Sequence, residues 1–542
     1  MLRMNWRERF LQITLFIMLF WAMNLVVSWG ISYFFPVNSR VVAPQEQQTA
    51  AVVGGCYQVP TVVEVQQPLN REIDFLDVDE KNQPEEVNTV LSGPRLQYDF
   101  SSYGGGLQRA VYSHRIEERV EDMTFVRTQG MLQREESMFL VALDTPSPYF
   151  YEKGFDEDGA TFVANSPKAR VTKRFVADKD AARIDLELTI EPVSGSAVRP
   201  RVFVTAPNLF DTSDWDAFPS FVVGDNGKIQ KVYSKKIAQS VWPQPEIVGV
   251  QDRYFVCALI DDANKFARRG YFWKTPVGRP GFILEGPVIE KKTSWRLSFY
   301  CGPKEISALA AADRRLESLM EYGWFARISQ GMLWLLNLLN HHLGNYGWAI
   351  VLLTLLLNLL IAPFTIKTIL SENKMAAKQR EYQRKQAAIR KRYADDPEQL
   401  RMAQMELLRE QGFGGMGGSN MLPFLIQMPF FIALNRVLAN AIQLYKAPFI
   451  LWINDLSQSD AILPWVLMAL MLTMMLVALT KGKKKIQPTA VIVVLFMGLF
   501  FGGIGFRLST GLNLFIIVGL IFRLALTYVV KKVQKTWMVS PH

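Results

Sequence analysis

The sequence predicts a multi-pass α-helical membrane protein of six spans, with a large all-β domain placed after the first span. Three observations carry this. Six uncharged or nearly uncharged apolar runs are each long enough to cross a ~30 Å hydrocarbon core. Residues 61–304 show a different texture, with short β-rich runs separated by turn residues. The charge is also segregated. The 542-residue chain carries a formal net charge of +10, yet residues 31–327 hold 35 Lys and Arg against 40 Asp and Glu. The basic excess therefore lies wholly in the parts that contain the apolar runs. That distribution points to a membrane protein with positive loops on one side, and removes nucleic acid as the main ligand. Three cysteines exclude a disulfide scaffold, and four histidines leave little for a His-rich metal site.

In chain order, residues 1–9 carry Arg3, Arg7 and Arg9 and lead into the run 10–35. This run is too long for a ~7–15-residue signal core and has no small-residue cleavage site, so it reads as an uncleaved anchor. Val53-Gly54-Gly55-Cys56 has the look of a lipoprotein box but lies far beyond that run and reads as chance. Residues 36–60 are a Gln/Ala/Val/Gly-rich linker. Alternation in Ala169–Val176 and Arg183–Ile190, with turn residues such as Gly224-Asp-Asn-Gly227, predicts a β-sandwich or barrel over 61–304. Residues 305–330 are expected to form one amphipathic helix with Leu309, Leu316, Leu319 and Met320 on its apolar face. Such a helix lies at the membrane surface or against the sandwich.

Five further spans are expected at 343–366, 420–444, 461–480, 486–506 and 508–530. Between the first two of these, 367–419 is a helical hairpin. Glu372–Arg392 is charged and free of Gly and Pro; Asp396 is placed to cap a second arm that begins at Pro397. The glycines of 412–418 end that arm. With the N-terminus inside, the segments 1–9, 367–419, 481–485 and 531–542 are cytoplasmic and hold 21 Lys and Arg. The loop 445–460 and the β domain are then outside.

Catalytic signatures are lacking. The Gly-rich run has no following Gly-Lys-Ser/Thr, and no HExxH, CxxC or GxSxG occurs. Gly104-Gly105-Gly106 reads as a turn, and His341-His342 as an interfacial pair. His114 has no partner in sequence. Cys257 and Cys301 can pair in an oxidising compartment, which leaves Cys56 over. No catalytic residue, metal or cofactor is expected.

The polar groups inside the spans say more. A charge at the bilayer centre costs ~2.5–3.5 kcal/mol even on insertion scales. Arg436 sits in the run 420–444, about 15 Å from Lys446 along a helix. Arg436, Asn440 and Gln443 recur at helical spacing, with Asn435 beside them. Asn358 lies about 19 Å from Asn345, with Thr354 one turn away on the same face. Two polar stripes are thus expected at similar depth, around a hydrated cavity. No Asp or Glu occurs in any of the six runs, so Arg436 has no acidic partner and a proton relay is excluded. Arg507 and Arg523 lie nearer the span ends and read as snorkelling.

These residues bring a family into view. Asn345-Tyr-Gly-Trp-Ala-Ile-Val-Leu-Leu-Thr354, Ala362-Pro-Phe-Thr365, Met421-Leu-Pro-Phe-Leu-Ile-Gln-Met-Pro-Phe-Phe-Ile-Ala-Leu434 and Ala447-Pro-Phe-Ile-Leu-Trp-Ile-Asn-Asp-Leu-Ser457 resemble the YidC family of bacterial membrane protein insertases. Ser102-Tyr-Gly-Gly105 carries a weaker likeness to its large periplasmic domain. The resemblance implies a five-helix insertase core beside a periplasmic β-supersandwich, in the bacterial inner membrane. It implies a hydrophilic groove, closed outward, that takes the polar parts of nascent membrane proteins, with 343–366 and 486–506 among the spans near substrate. Membrane lipids and the Sec translocon are implied partners. The ribosome and signal recognition machinery are implied partners of 367–419.

Three departures stand out. Asn358 occupies the position of the family's groove arginine, so Arg436 is expected to supply the cation. The linker 412–418 lacks the usual Asn-Pro before its glycines. The tail after Val530 is short, which leaves ribosome contact to the hairpin and 481–485. The competing readings are a passive transporter or channel, which requires a pore, and a membrane-anchored sugar enzyme, which requires converging carboxylates or histidines.

Overall fold

A computed structural model describes residues 68–538 apart from 77–82, 117–118, 129, 145, 179–180, 194, 208–219, 226–227, 233–240, 277, 321–324, 394–395, 412–417, 481–494, 496–497 and 500–501. The expected anchor 10–35, the linker 36–60, Cys56, the loop 481–485 and most of 486–506 lie outside the described residues.

Among the described residues, those between 88 and 303 form three antiparallel sheets. One has nine strands, with Thr293–Pro303 near its centre between Phe255–Asp262 and Arg183–Pro192. One has five, including Arg201–Thr205 and Pro280–Glu285; the third has four, Asn88–Arg127. Ala169–Asp178 and Arg183–Pro192 alternate buried and part-exposed residues, as the sequence pattern expects of a sheet with one face in the core. The five-stranded sheet is buried on both faces. Val202, Val204, Phe282 and Leu284 enter the large core shared with the nine-stranded sheet. Their neighbours Phe203, Ile283, Tyr271 and Trp273 form a second core, covered by Leu69, Ile73 and Phe75. Cys257 and Cys301 are register partners on adjacent strands and form a disulfide.

The glycine-rich turn closes on a lysine. Gly104 and Gly105 take positive φ of 73° and 47°, a region glycine enters without penalty. Lys173 is fully buried, and its Nζ donates to Gly104 O, Gly105 O and Phe139 O at 2.7, 3.1 and 3.0 Å. Burial pushes its pKa well below the usual lysine range.

The expected helix 305–330 is two units. Helix α1, Ile306–Ala312, ends at Asp313, whose backbone is extended (φ −161°) and whose side chain caps the 3-10 turn Arg314–Leu319. Leu309, Leu316 and Leu319 are buried in the β-domain core. A separate helix α2, Ala326–Leu343, buries Ser329, Met332 and Leu336 against the bundle and ends at Gly344 with φ 67°. An aspartate with extended backbone inside an apolar period is a break that periodicity alone does not reveal.

Helix α3, Tyr346–Arg392, runs unbroken for 47 residues, through Pro363 and on into the first arm of the hairpin. Helix α4, Pro397–Gln411, is the second arm, and Asp396 accepts from the Glu398 and Gln399 amides at 3.1 Å each. Helices α5, Gly418–Asn440, α6, Leu463–Thr480, and α7, Thr510–Met538, complete the described bundle. Tyr346–Leu370 and Thr510–Val530 are long and apolar enough to cross a membrane; Leu463–Met474 is a shorter apolar stretch. The fold is therefore a large all-β domain followed by a helical region.

Candidate functional site

Three helices converge on one small polar layer. Gly519 of α7 has no side chain; a Cβ built there would stand 3.5 Å from Asn358 Nδ2 on α3 and 3.9 Å from Gln427 Nε2 on α5. The backbone of Gly519 is thus approached by two amide side chains, one from α3 and one from α5. Asn358 Nδ2 donates to Thr354 O at 2.8 Å. Thr354 is fully buried and its Oγ1 donates to Ile350 O at 2.6 Å, so its hydroxyl proton is spent within its own helix.

Arg436 is not brought to this layer. It lies nine residues beyond Gln427 on α5. At 3.6 residues per turn and 1.5 Å per residue, that is about half a turn round the helix and ~13.5 Å toward its C-terminal end. The expected depth of Arg436 is counted along a helix from Lys446, whereas α5 ends at Asn440. Asn440 Nδ2 donates to Arg436 O at 2.9 Å, which keeps these two residues one turn apart on α5. Asn435 is exposed on the same helix. Gln443 does not extend the stripe, because α5 ends at Asn440 and Gln443 lies in the 3-10 turn Ile442–Leu444. Arg523 is four residues inward of Gly519 and exposed. Among the described residues, neither Arg436 nor Arg523 is in an ion pair.

Gln427 and Gly519 were missed by the sequence reading. Gln427 stands inside the quoted motif, and counting every amide within an apolar run would have found it. Gly519 is visible only once three helices are packed.

The start of α3, the end of α5 and the start of α7 meet in the loop 441–458. Asn345 Nδ2 donates to Pro448 O at 3.2 Å, and a Cβ at Gly347 would fall 2.0 Å from the Phe449 ring. Thr510 N and Gly511 N donate to Gln458 O and Leu456 O at 2.7 and 2.9 Å. The same loop meets the β domain. Ile442 and Tyr445 are buried in the β-domain core. Arg253 Nε donates to Ala439 O at 2.8 Å. His114 is buried and stacked on Tyr112, with ring centroids 6.0 Å apart.

Comparison with known proteins agrees with this division. Residues 143–335 match the family model described as the YidC periplasmic domain, and residues 338–536 match that described as the 60Kd inner membrane protein. A membrane protein insertase YidC of Campylobacter jejuni is 36% identical over 236 residues, which are 43% of this chain and 43% of that protein. The corresponding insertase of Wolinella succinogenes is 26% identical over 456 residues, 81% of this chain and 80% of that protein. The alignment to the Campylobacter protein thus spans less than half its length. A crystal structure of an active YidC insertase with its first transmembrane domain resolved overlays at a TM-score of 0.36 and 17% identity, covering 84% of this chain and 94% of the other. Two adjoining models, one for the outer β domain and one for the helical core, account for nearly all of residues 143–536, and the chain belongs to the YidC family of membrane protein insertases.

Proposed function

We propose that the chain inserts nascent membrane proteins, with the layer of Asn358, Gln427 and Gly519 as the floor of a hydrated groove. The observation that supports this most is the meeting of two amides at a missing side chain inside an apolar bundle. Polar groups at membrane depth cost several kcal/mol when unsatisfied, so such a layer holds water or a passing polar segment. No covalent step is needed. The layer lowers the barrier to moving polar segments by offering donors and acceptors where lipid offers none. Arg436 supplies a separate positive charge nearer the outer end, suited to acidic segments on their way across.

In this reading the chain crosses the bacterial inner membrane six times with both termini in the cytoplasm. The positive hairpin 367–419 is then inside, where it meets the ribosome or signal recognition machinery. The β domain is outside, and the core works alone or beside the Sec translocon.

The test is insertion of a single-span substrate by the purified full-length chain in liposomes, with photocrosslinkers at positions 358, 427 and 436. Crosslinks at 358 and 427 during synthesis, with loss of insertion in the Asn358→Leu/Gln427→Leu double variant, are the expected result. Solute flux through the liposomes without substrate crosslinks would instead favour a transporter. Arg436→Ala is expected to slow insertion of acidic-tailed substrates and to spare neutral ones; equal rates on both would remove the role given to Arg436.

A further inference from the structure

We infer that Arg253 is a positioning residue: it carries the β domain's hold on the outer end of α5, the helix that bears Gln427 and Arg436. The inference rests on the insertase reading for its consequence, but its geometry stands by itself.

Arg253 sits at the tip of the turn between the strands Ile247–Gln251 and Phe255–Asp262. That tip is over-determined. Asp252 Oδ1 accepts from the Tyr254 and Phe255 amides at 2.8 and 2.6 Å. Lys304 Nζ donates to Asp252 O at 2.8 Å, and the Lys304 amide donates to Tyr254 O at 2.7 Å. A guanidinium mounted on such a base has a fixed origin.

From there it reaches two backbone carbonyls of the membrane core. Nε donates to Ala439 O at 2.8 Å, and the terminal Nη2 donates to Ser457 O at 3.4 Å. Ala439 is in the last turn of α5, where carbonyls have no intrahelical donor. A cation is favourable there, since the helix dipole leaves that end negative. The fork of guanidinium donors lets one side chain join the end of α5 to the far side of the loop, which a lysine cannot do. Aromatic packing continues the contact: the Arg253 guanidinium lies 4.9 Å from the Tyr254 ring centroid, and Tyr254 and Tyr445 are 5.4 Å apart. Ile442 and Tyr445, buried in the β-domain core, are a second point of attachment. A β domain tethered only by its linkers would leave the end of α5, and with it the register of Gln427 against Asn358, free to shift.

The experiment uses the full-length chain in liposomes, with Arg253→Ala, Arg253→Gln and Arg253→Lys. Two quantities are read: amide hydrogen exchange over 437–458, and the initial rate of single-span insertion. Arg253→Ala is expected to speed exchange at the end of α5 by roughly fivefold, the scale of one lost helix-end interaction. Protection in the strand Thr293–Pro303 is expected to stay unchanged, which shows that the domain is folded. Insertion is expected to slow about threefold, with Arg253→Lys restoring part of both and Arg253→Gln less. Unchanged exchange in Arg253→Ala overturns the hold itself. Faster exchange with unchanged insertion overturns the positioning role. If the wild-type chain inserts nothing, the insertase reading fails, and the exchange result still decides the contact.

Discussion

Gly519 acts through the side chain it lacks. Gly519→Leu is expected to fill the space between Asn358 and Gln427 and to reduce insertion of polar-tailed substrates on the order of tenfold, equivalent to ~1.4 kcal/mol of lost stabilisation. The leucine is also expected to cost some stability through overpacking, since a Cβ at 519 already touches Asn358; Gly519→Ala, which fits, is expected to leave thermal stability nearly unaltered. Gly347 is the opposite case. A Cβ there falls inside the Phe449 ring, so Gly347→Ala is expected to destabilise the bundle by ~1–3 kcal/mol through overpacking. A double cycle with Phe449→Ala should recover most of that loss in chemical denaturation.

His114 gives a pH dependence. Burial lowers its pKa below the usual imidazole value, the Arg95 charge adds to this, and Glu305 and the Gln443 backbone bond work against it. A depressed pKa means that the packed state prefers neutral imidazole. The contribution is full at neutral pH and above, and is lost as pH falls through about 6.5, where an exposed histidine takes its proton. Exchange over 437–458, taken relative to the intrinsic amide rate at each pH, is therefore expected to rise between pH 7 and 5. His114→Phe is expected to flatten that rise; an identical profile in the variant would assign the titration elsewhere.

At the scale of elements, the hairpin was the part most legible in sequence. Asp396 and Pro397 marked the start of α4 because a capping carboxylate and a fixed φ act within one turn and need no tertiary context. Asp396→Ala is expected to cost the second arm ~1 kcal/mol, read as loss of helicity or faster exchange over 398–402. The same local logic failed at Asp313. An apolar period ran through it, and only the packing of Leu309, Leu316 and Leu319 into the β-domain core shows why the chain turns there. The helix α2 escaped notice for a related reason: its buried stripe is narrow, and most of its surface is not in the bundle.

At the scale of the whole molecule, the division into a β domain and a helical core was legible, since period-two alternation and long uncharged runs are signals of different wavelength. The contact between the halves was not. It is made from backbone carbonyls of 439–457 and a turn nearly two hundred residues earlier, and carbonyls leave no mark in a sequence. The polar residues of the spans were half legible. Asn358 declared itself as a lone amide in an apolar run. Gln427, close to Gly519 as Asn358 is, shows only once the helices are packed.

The unbroken helix α3 has a mechanical side. Its 47 residues span about 70 Å, so the residue Asn358 and the first arm of the hairpin belong to one rod. Pro363 has no amide to give to the Leu359 carbonyl, and that carbonyl follows directly on Asn358. The rod is thus most easily bent just inward of the amide layer. A load placed on the hairpin is expected to swing the rod about Pro363, about one turn from Asn358.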